Sequence, residues 1–238
     1  MKRLCLALGL SISLLASTQA QEVLRDLPAT IAPDQKYLFF QHGLSVEQLG
    51  PDSYSKEFRK TYDTTAITAA FAKAGYIVIA EFRPKGSRVP AYADRISGQV
   101  RQLLAAGVPA HNIAVVGHSK GGYIVIASAT RLANPEISYA LLAGCALPSA
   151  RNIGGADARA TYEKLIADTQ GQLQGHFLAQ YDTTDEWMGS CSELEAANPG
   201  LKIEESATQS GYAAGMGHSL FYAPEAIWFT PLLKWLDR

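Results

Sequence analysis

The segment Ile113-Ala114-Val115-Val116-Gly117-His118-Ser119-Lys120-Gly121-Gly122 decides how this chain is read. Ile113 to Val116 is a short, continuous apolar run of the kind that forms a buried strand, and Tyr123 to Leu132 is compatible with a helix. Between them stands Gly117-x-Ser119-x-Gly121, a pattern that places a serine on a sharp strand-to-helix turn. In such a turn the serine takes a strained backbone conformation that lifts its hydroxyl clear of both elements. The glycines two residues to either side, Gly117 and Gly121, remove the side chains that would collide there. The pentapeptide alone recurs by chance as an ordinary Gly-rich turn, so the strand before it and the helix after it carry the meaning. They make Ser119 a candidate nucleophile.

Outward from this turn, short apolar runs alternate with helical stretches. The runs are Tyr37–Gln41, Tyr76–Phe82, Ile113–Gly117, Ser138–Gly144, His176–Tyr181 and, more weakly, Leu201–Ser206. The helical stretches are Ala66–Ala74, Ala91–Ala106 ending at Gly107, Tyr123–Leu132, Ala156–Thr169 and Pro224–Leu236. Continuously apolar strands separated by helices predict an α/β protein with a mostly parallel sheet covered on both faces. A sheet of that kind has its ligand crevice at the carboxyl ends of the strands.

The start of the chain reads differently. Lys2 and Arg3 precede an apolar run from Leu4 to Ala16, followed by Ser17-Thr18-Gln19-Ala20 and then polar Gln21-Glu22. This is the pattern of a signal peptide, residues 1–20, cleaved after Ala20 and taking Cys5 with it. The apolar run is shorter than the ~20 residues that span a bilayer, so no stable membrane anchor is expected. Periplasmic or secreted localisation follows. The leader carries Lys2 and Arg3 and no acid, so its loss shifts the balance from 21 basic against 22 acidic residues to 19 against 22. A mildly acidic protein has no electrostatic reason to seek nucleic acid or an anionic membrane. Residues 21–238 contain no repeat, charge block or low-complexity linker and are expected to form a single domain.

With the elbow on the third of these strands, the chain resembles the α/β-hydrolase superfamily from Tyr37 to Trp235. The matching segments are Phe40-Gln41-His42-Gly43, Gly117-His118-Ser119-Lys120-Gly121-Gly122, Asp182-Thr183-Thr184-Asp185 and Gly215-Met216-Gly217-His218. The resemblance implies the α/β-hydrolase fold and a Ser-Asp-His triad in that chain order. No long insertion separates the segment Ser138–Leu147, which contains the strand Ser138–Gly144, from the next helix, so no cap domain or large lid is expected and the site should be open.

A hydroxyl is a poor nucleophile until an imidazole removes its proton. Of the five histidines, His42 and His111 come too early, His118 lies inside the elbow, and His176 begins a strand at the wrong edge. His218 follows the carboxylate loop and the last strand, which makes it the expected base. Its orienting acid lies beyond the strand that ends at Tyr181, where Asp182, Asp185 and Glu186 are the candidates; Asp185 has the offset usual in the resembled family, and Asp182 stands as the alternative. The oxyanion requires preorganised backbone donors, one from Lys120, after the nucleophile, and a second expected from Leu44, where the preceding Gly43 permits close approach. His42-Gly43 also reads as a simple turn. His42 and His118, beside these turns, are candidate substrate-binding residues.

Other signals carry less weight. Arg83, Lys85 and Arg88 fall after the second strand on the expected active edge, with Lys120 beside the serine; they read as receptors for an anionic substrate group or as ordinary solvated charges. Ser53-x-x-Lys56 matches a penicillin-binding pattern, but the chain lacks its Ser-Asp-Asn and Lys-Thr-Gly partners. There is no P-loop, dinucleotide fingerprint or paired Cys-x-x-Cys metal motif, so neither metal nor organic cofactor is expected. If the strands preceding Cys145 and Cys191 are neighbours, as the resemblance implies, the two cysteines reach one edge of the sheet and an exported protein would join them; two free thiols are the alternative. The expected function is hydrolysis of a small-molecule carboxylic ester or related acyl compound through an acyl-enzyme. A peptidase or acyltransferase with the same triad, and a catalytically silent binding member of the fold, are the competing expectations.

Overall fold

A computed structural model describes residues 23–150 and 157–238. The leader expected at 1–20 lies outside them, as does Ala156, the expected first residue of one helix. In chain order the elements are β1 (Val23–Leu24), β2 (Lys36–Gln41), α1 (Leu44–Leu49), β3 (Tyr54–Ser55), β4 (Lys60–Thr61), α2 (Thr64–Lys73) and β5 (Tyr76–Ile79). There follow α3 (Val89–Ala105), β6 (Ile113–His118), α4 (Lys120–Leu132), β7 (Ser138–Leu142), α5 (Ala158–Thr169), β8 (His176–Asp182), α6 (Ser192–Ala196), β9 (Ile203–Thr208) and α7 (Ala226–Leu236). A 3₁₀ turn, Gly217–Tyr222, precedes α7.

Seven strands form one sheet in the order β1-β5-β2-β6-β7-β8-β9, and every pairing in it is parallel. Its middle is dry because the sequence there is apolar on both faces: every residue of β6 is buried, as are Tyr37 to Gln41 of β2. Two groups of helices cover it. Phe71 of α2 and Phe229 of α7 meet at 4.8 Å between ring centroids. Elsewhere Ser97 of α3 donates to the carbonyl of Ser128 on α4, and Tyr123 of α4 stacks on Tyr162 of α5. None of the helices among the described residues is long and apolar enough to cross a membrane.

The register aligns the strand ends that matter. Gln41 pairs with Gly117, His118 with Leu142, and Leu142 with Gln180, so the turns after β2, β6, β7 and β8 emerge at one edge. Boundaries shift where local chemistry outweighs the pattern. The strand expected to reach Phe82 stops at Ile79, after which the Ala80 N–H bonds to Leu24 and Arg83 turns inward. The third helix starts at Val89, with Pro90 in the first turn where its missing N–H costs nothing. The second starts at Thr64 because the Asp63 carboxylate caps the Ala66 N–H at 2.8 Å. β9 lies two residues later than expected, and α1, α6 and the β3–β4 hairpin are too short to leave a periodic trace.

Candidate active site

Ser119 is the last residue before α4 and has φ 56° and ψ −121°, in the left-handed region that non-glycine residues avoid. The surrounding chain holds it there: its N–H donates to Leu142 at 2.9 Å, and its carbonyl accepts from Gly122 at 2.8 Å. The two elbow glycines are required by space. A Cβ on Gly117 would lie 2.3 Å from the Gly121 carbonyl oxygen, and one on Gly121 would lie 1.9 Å from that of Gln41.

His218 sits in the 3₁₀ turn after β9, with its Nδ1 2.8 Å from Oδ2 of Asp185. Both side chains are buried. The other Asp185 oxygen accepts the backbone N–H groups of Trp187 at 2.9 Å and Met188 at 3.1 Å. A carboxylate fixed in this way keeps the proton on Nδ1 and leaves Nε2 free to act as a base. Of the candidate acids, Asp185 is the one on the imidazole. Asp182 instead ties the loops together, accepting from the Thr184 N–H and hydroxyl and from the Ser210 N–H. Burial works to raise the Asp182 carboxyl, but these donors outweigh it and hold the group below its usual value. The Gly215 N–H, bonded to the Thr184 carbonyl at 2.8 Å, fastens the histidine loop to the acid loop.

Lys120 and Leu44 are the first residues of α4 and α1, positions whose N–H groups have no acceptor within their own helix. The Gly43 turn lies against the nucleophile: a Cβ there would come within 3.4 Å of the Ser119 Cβ and 3.0 Å of the His118 Nδ1. The two residues expected to supply the oxyanion donors thus begin two separate helices, one of them directly after the Gly43 turn that packs on Ser119.

The substrate-binding role expected for His42 and His118 is corrected, because each ring is enclosed and uses both nitrogens internally. His42 has Nδ1 2.9 Å from the Gly43 carbonyl and Nε2 accepting the Arg83 N–H at 2.9 Å. His118 bonds the Tyr62 hydroxyl through Nδ1 at 2.9 Å and the His218 carbonyl through Nε2 at 3.2 Å. Tyr62 also accepts the Gly43 N–H, so this chain of contacts runs from the Gly43 turn to the backbone of the base. Burial pushes both histidines well below their ordinary value, with Arg83 adding to the effect at His42 and His218 at His118.

The anion-receiving role weighed for Arg83 and Lys120 is likewise corrected, since both side chains are bound to Glu47. Lys85 and Arg88 are exposed. Ser53 merely donates to the Leu49 carbonyl, and Lys56 is exposed.

The site is also less open than the missing lid implied. Ser119 is 7% exposed and His218 2%. The β3–β4 hairpin, unforeseen from sequence, brings the Phe58 ring to 5.5 Å from the His218 ring, and Trp187 stands 5.9 Å from His218 and 5.5 Å from Phe58, so the two aromatic rings pack together against the base. Lys60 anchors this hairpin to the histidine loop by donating to the Ser219 carbonyl and the Tyr212 hydroxyl and by pairing with Glu225. No sequence signal marked this hairpin: its strands have two residues each, and the spacing of Tyr54, Phe58 and Tyr62 is a helical one. Cys145 and Cys191 are joined, with Cα atoms 5.2 Å apart. Beside them Leu147 donates to Trp187 and Gly189 to Cys145, forming a short antiparallel bridge next to Asp185.

Solved structures share this architecture. Dipeptidyl peptidase 4 of Porphyromonas gingivalis superposes with a TM-score of 0.55 at 16% identity, over 87% of this chain and 32% of that one. Monoacylglycerol lipase of Paleococcus ferrophilus gives 0.60 at 14% identity, over 87% of this chain and 95% of that one. The 2,6-dihydroxy-pseudo-oxynicotine hydrolase gives 0.53 at 15% identity, over 88% of this chain and 61% of that one. This chain thus spans about a third of the length of the peptidase. No protein-family model and no curated protein matches the sequence. The chain has the α/β-hydrolase fold.

Proposed function

We propose that this protein is an exported serine hydrolase that cleaves a carboxylic ester or related acyl bond in a small-molecule substrate. The observation that carries the reading is the buried Asp185–His218 pair at 2.8 Å, on the same sheet edge as Ser119 in its strained elbow. In this reading His218 Nε2 takes the Ser119 proton as Oγ attacks the acyl carbon, and Asp185 stabilises the resulting imidazolium. The Leu44 and Lys120 N–H groups receive the oxyanion. His218 then passes its proton to the departing alcohol, leaving an acyl-enzyme that water opens by the same steps in reverse order. The signal-peptide pattern of residues 1–20 and the Cys145–Cys191 bridge support export to an oxidising compartment. Likeness in fold to a lipase and to a peptidase supports hydrolysis and leaves the acyl group to the pocket.

A fluorophosphonate probe should label Ser119, and p-nitrophenyl esters of graded chain length, run beside peptide and thioester substrates, should identify the acyl class. Ser119→Ala should abolish labelling and lower turnover by about 10⁶-fold, as in another serine hydrolase. A wild-type protein that neither labels nor turns over any of these compounds would instead be a binding member of the fold.

A further inference from the structure

Glu47, Arg83 and Lys120 form a charge cluster that the triad does not use. The Glu47 side chain is fully enclosed, and each of its oxygens has a different cationic partner. Oε1 accepts from Arg83 Nε at 3.0 Å, and Oε2 accepts from Lys120 Nζ at 2.6 Å. Lys120 also donates to the Ser87 carbonyl at 2.6 Å. The rest of the Arg83 guanidinium is spent on the Gln41 side chain, the His42 carbonyl and the face of Tyr92.

The placement of these residues gives the cluster its significance. Glu47 lies one turn into α1, whose first residue is Leu44, and Lys120 is the first residue of α4. One carboxylate therefore connects the segments that carry the two expected oxyanion donors. The charges do not balance: two cations face one anion, and among the described residues no other carboxylate pairs with either cation. His42, between them, has both ring nitrogens committed to backbone groups and adds no charge. Arg83 and Glu47 are fully enclosed and the Lys120 side chain is 20% exposed, so water screens the unmatched charge only in part and its cost is correspondingly moderated. The charge becomes favourable when an anion forms beside it.

We propose that Glu47, Arg83 and Lys120 form a clamp that sets the spacing of the two oxyanion donors and leaves one net positive charge behind them, with the Lys120 side chain as a positioning residue. The clamp rests on the serine-hydrolase reading and adds to it a source of selectivity for the transition state over the neutral substrate. Its effect should appear on kcat and not on KM, since the ground-state ester carries no charge at that oxygen.

The test compares Lys120→Met and Lys120→Arg with wild type, all carrying Ser119. Lys120→Met leaves Arg83 and Glu47 as a balanced pair, so folding is expected to survive; Glu47→Gln would strand two cations and is the riskier variant. The readouts are kcat and KM on a p-nitrophenyl ester, and the inhibition constant of an alkyl boronic acid, which becomes a tetrahedral anion when Ser119 Oγ adds to boron. Lys120→Met should lower kcat and weaken boronate inhibition in parallel, by about 10- to 100-fold, with KM changed less than about threefold. Lys120→Arg should recover most of both. A salt bridge that only supports folding would reduce the amount of active enzyme and hence kcat, but the inhibition constant of the surviving molecules would stay at the wild-type value. That outcome, or wild-type kcat in Lys120→Met, overturns the clamp while Ser119 labelling leaves the hydrolase reading standing. A wild-type protein that neither labels nor hydrolyses overturns both.

Discussion

Asp185 holds His218 with one carboxylate oxygen, at 2.8 Å, and the loop that carries it with the other, through the N–H groups of Trp187 and Met188. Orientation of the base and shape of the acid loop therefore depend on one side chain. Asp185→Asn keeps the volume but presents an amide where a carboxylate is required, favouring the wrong imidazole tautomer. By analogy with the same change in another serine hydrolase, turnover should fall by about 10⁴-fold. Steady-state kinetics and a thermal melt decide this: near-normal turnover in Asp185→Asn, with Asp182→Asn inactive, would move the role to Asp182.

Gly217→Ala probes the same geometry from the histidine side. An added Cβ would lie 2.6 Å from both Asp182 Oδ1 and Thr184 Oγ1 and 2.7 Å from the Asp185 N–H, so the histidine loop must move away from the acid loop. A displacement near 1 Å in a catalytic group costs about 10²-fold. The expected result is a kcat lowered by that order, with Ser119 still present and the protein still folded by circular dichroism. Wild-type kcat in this variant would mean that the loops have slack which the packing does not suggest.

The sheet was legible because its central strands have continuously apolar middles, Tyr37–Phe40, Ile113–Val116 and Tyr139–Leu142, a pattern strong enough to survive errors of two or three residues at the ends. The elbow and the base were legible for a different reason, since Gly117-x-Ser119-x-Gly121 and the Gly-flanked His218 are local signatures of a turn that only such residues permit. Contacts between distant segments were not. The offset from the strand favoured Asp185 over Asp182 without deciding between them, because the outcome depends on Ser210 and Thr184 claiming one acid and leaving the other for His218. Glu47, in the run Leu44-Ser45-Val46-Glu47-Gln48, reads as a surface residue until Arg83 and Lys120 arrive from 36 and 73 positions away. The Phe58 hairpin has strands of two residues each, too few for any period to show.

His42 and His118 give the folded protein a pH dependence of predictable sign. Burial pushes both well below the ordinary value of 6.5, so below that pH the unfolded chain takes up protons that the native state refuses. Stability from these residues is fully present above pH 6.5 and is lost as pH falls beneath it. Each should contribute a slope of up to about 1.4 kcal/mol per pH unit in that window. Urea unfolding at several pH values between 7.5 and 5 should show the decline, and His118→Gln, which cannot titrate, should show a shallower one. An unchanged slope in that variant would mean His118 is protonated in the native protein.

The bridge between Cys145 and Cys191 spans 46 positions of sequence, and Asp185 lies within the loop it closes. In the chain-entropy model a closure of that length stabilises the fold by about 4 kcal/mol, less any strain in the native state. The bridge also has a local consequence. Cys145 and Leu147 pair with Gly189 and Trp187, and the Trp187 and Met188 N–H groups hold Asp185, so releasing the bridge loosens the support of the carboxylate that orients His218. Cys145→Ser/Cys191→Ser should therefore lose activity at temperatures well below its own melting point, because the acid loop opens more readily than the fold as a whole. Thermal melts and ester hydrolysis, measured on the same samples with and without reductant, separate the two effects. Parallel loss of activity and structure would confine the bridge to global stability. Two alkylated cysteines in the non-reduced, denatured wild-type protein would show that the bridge does not form.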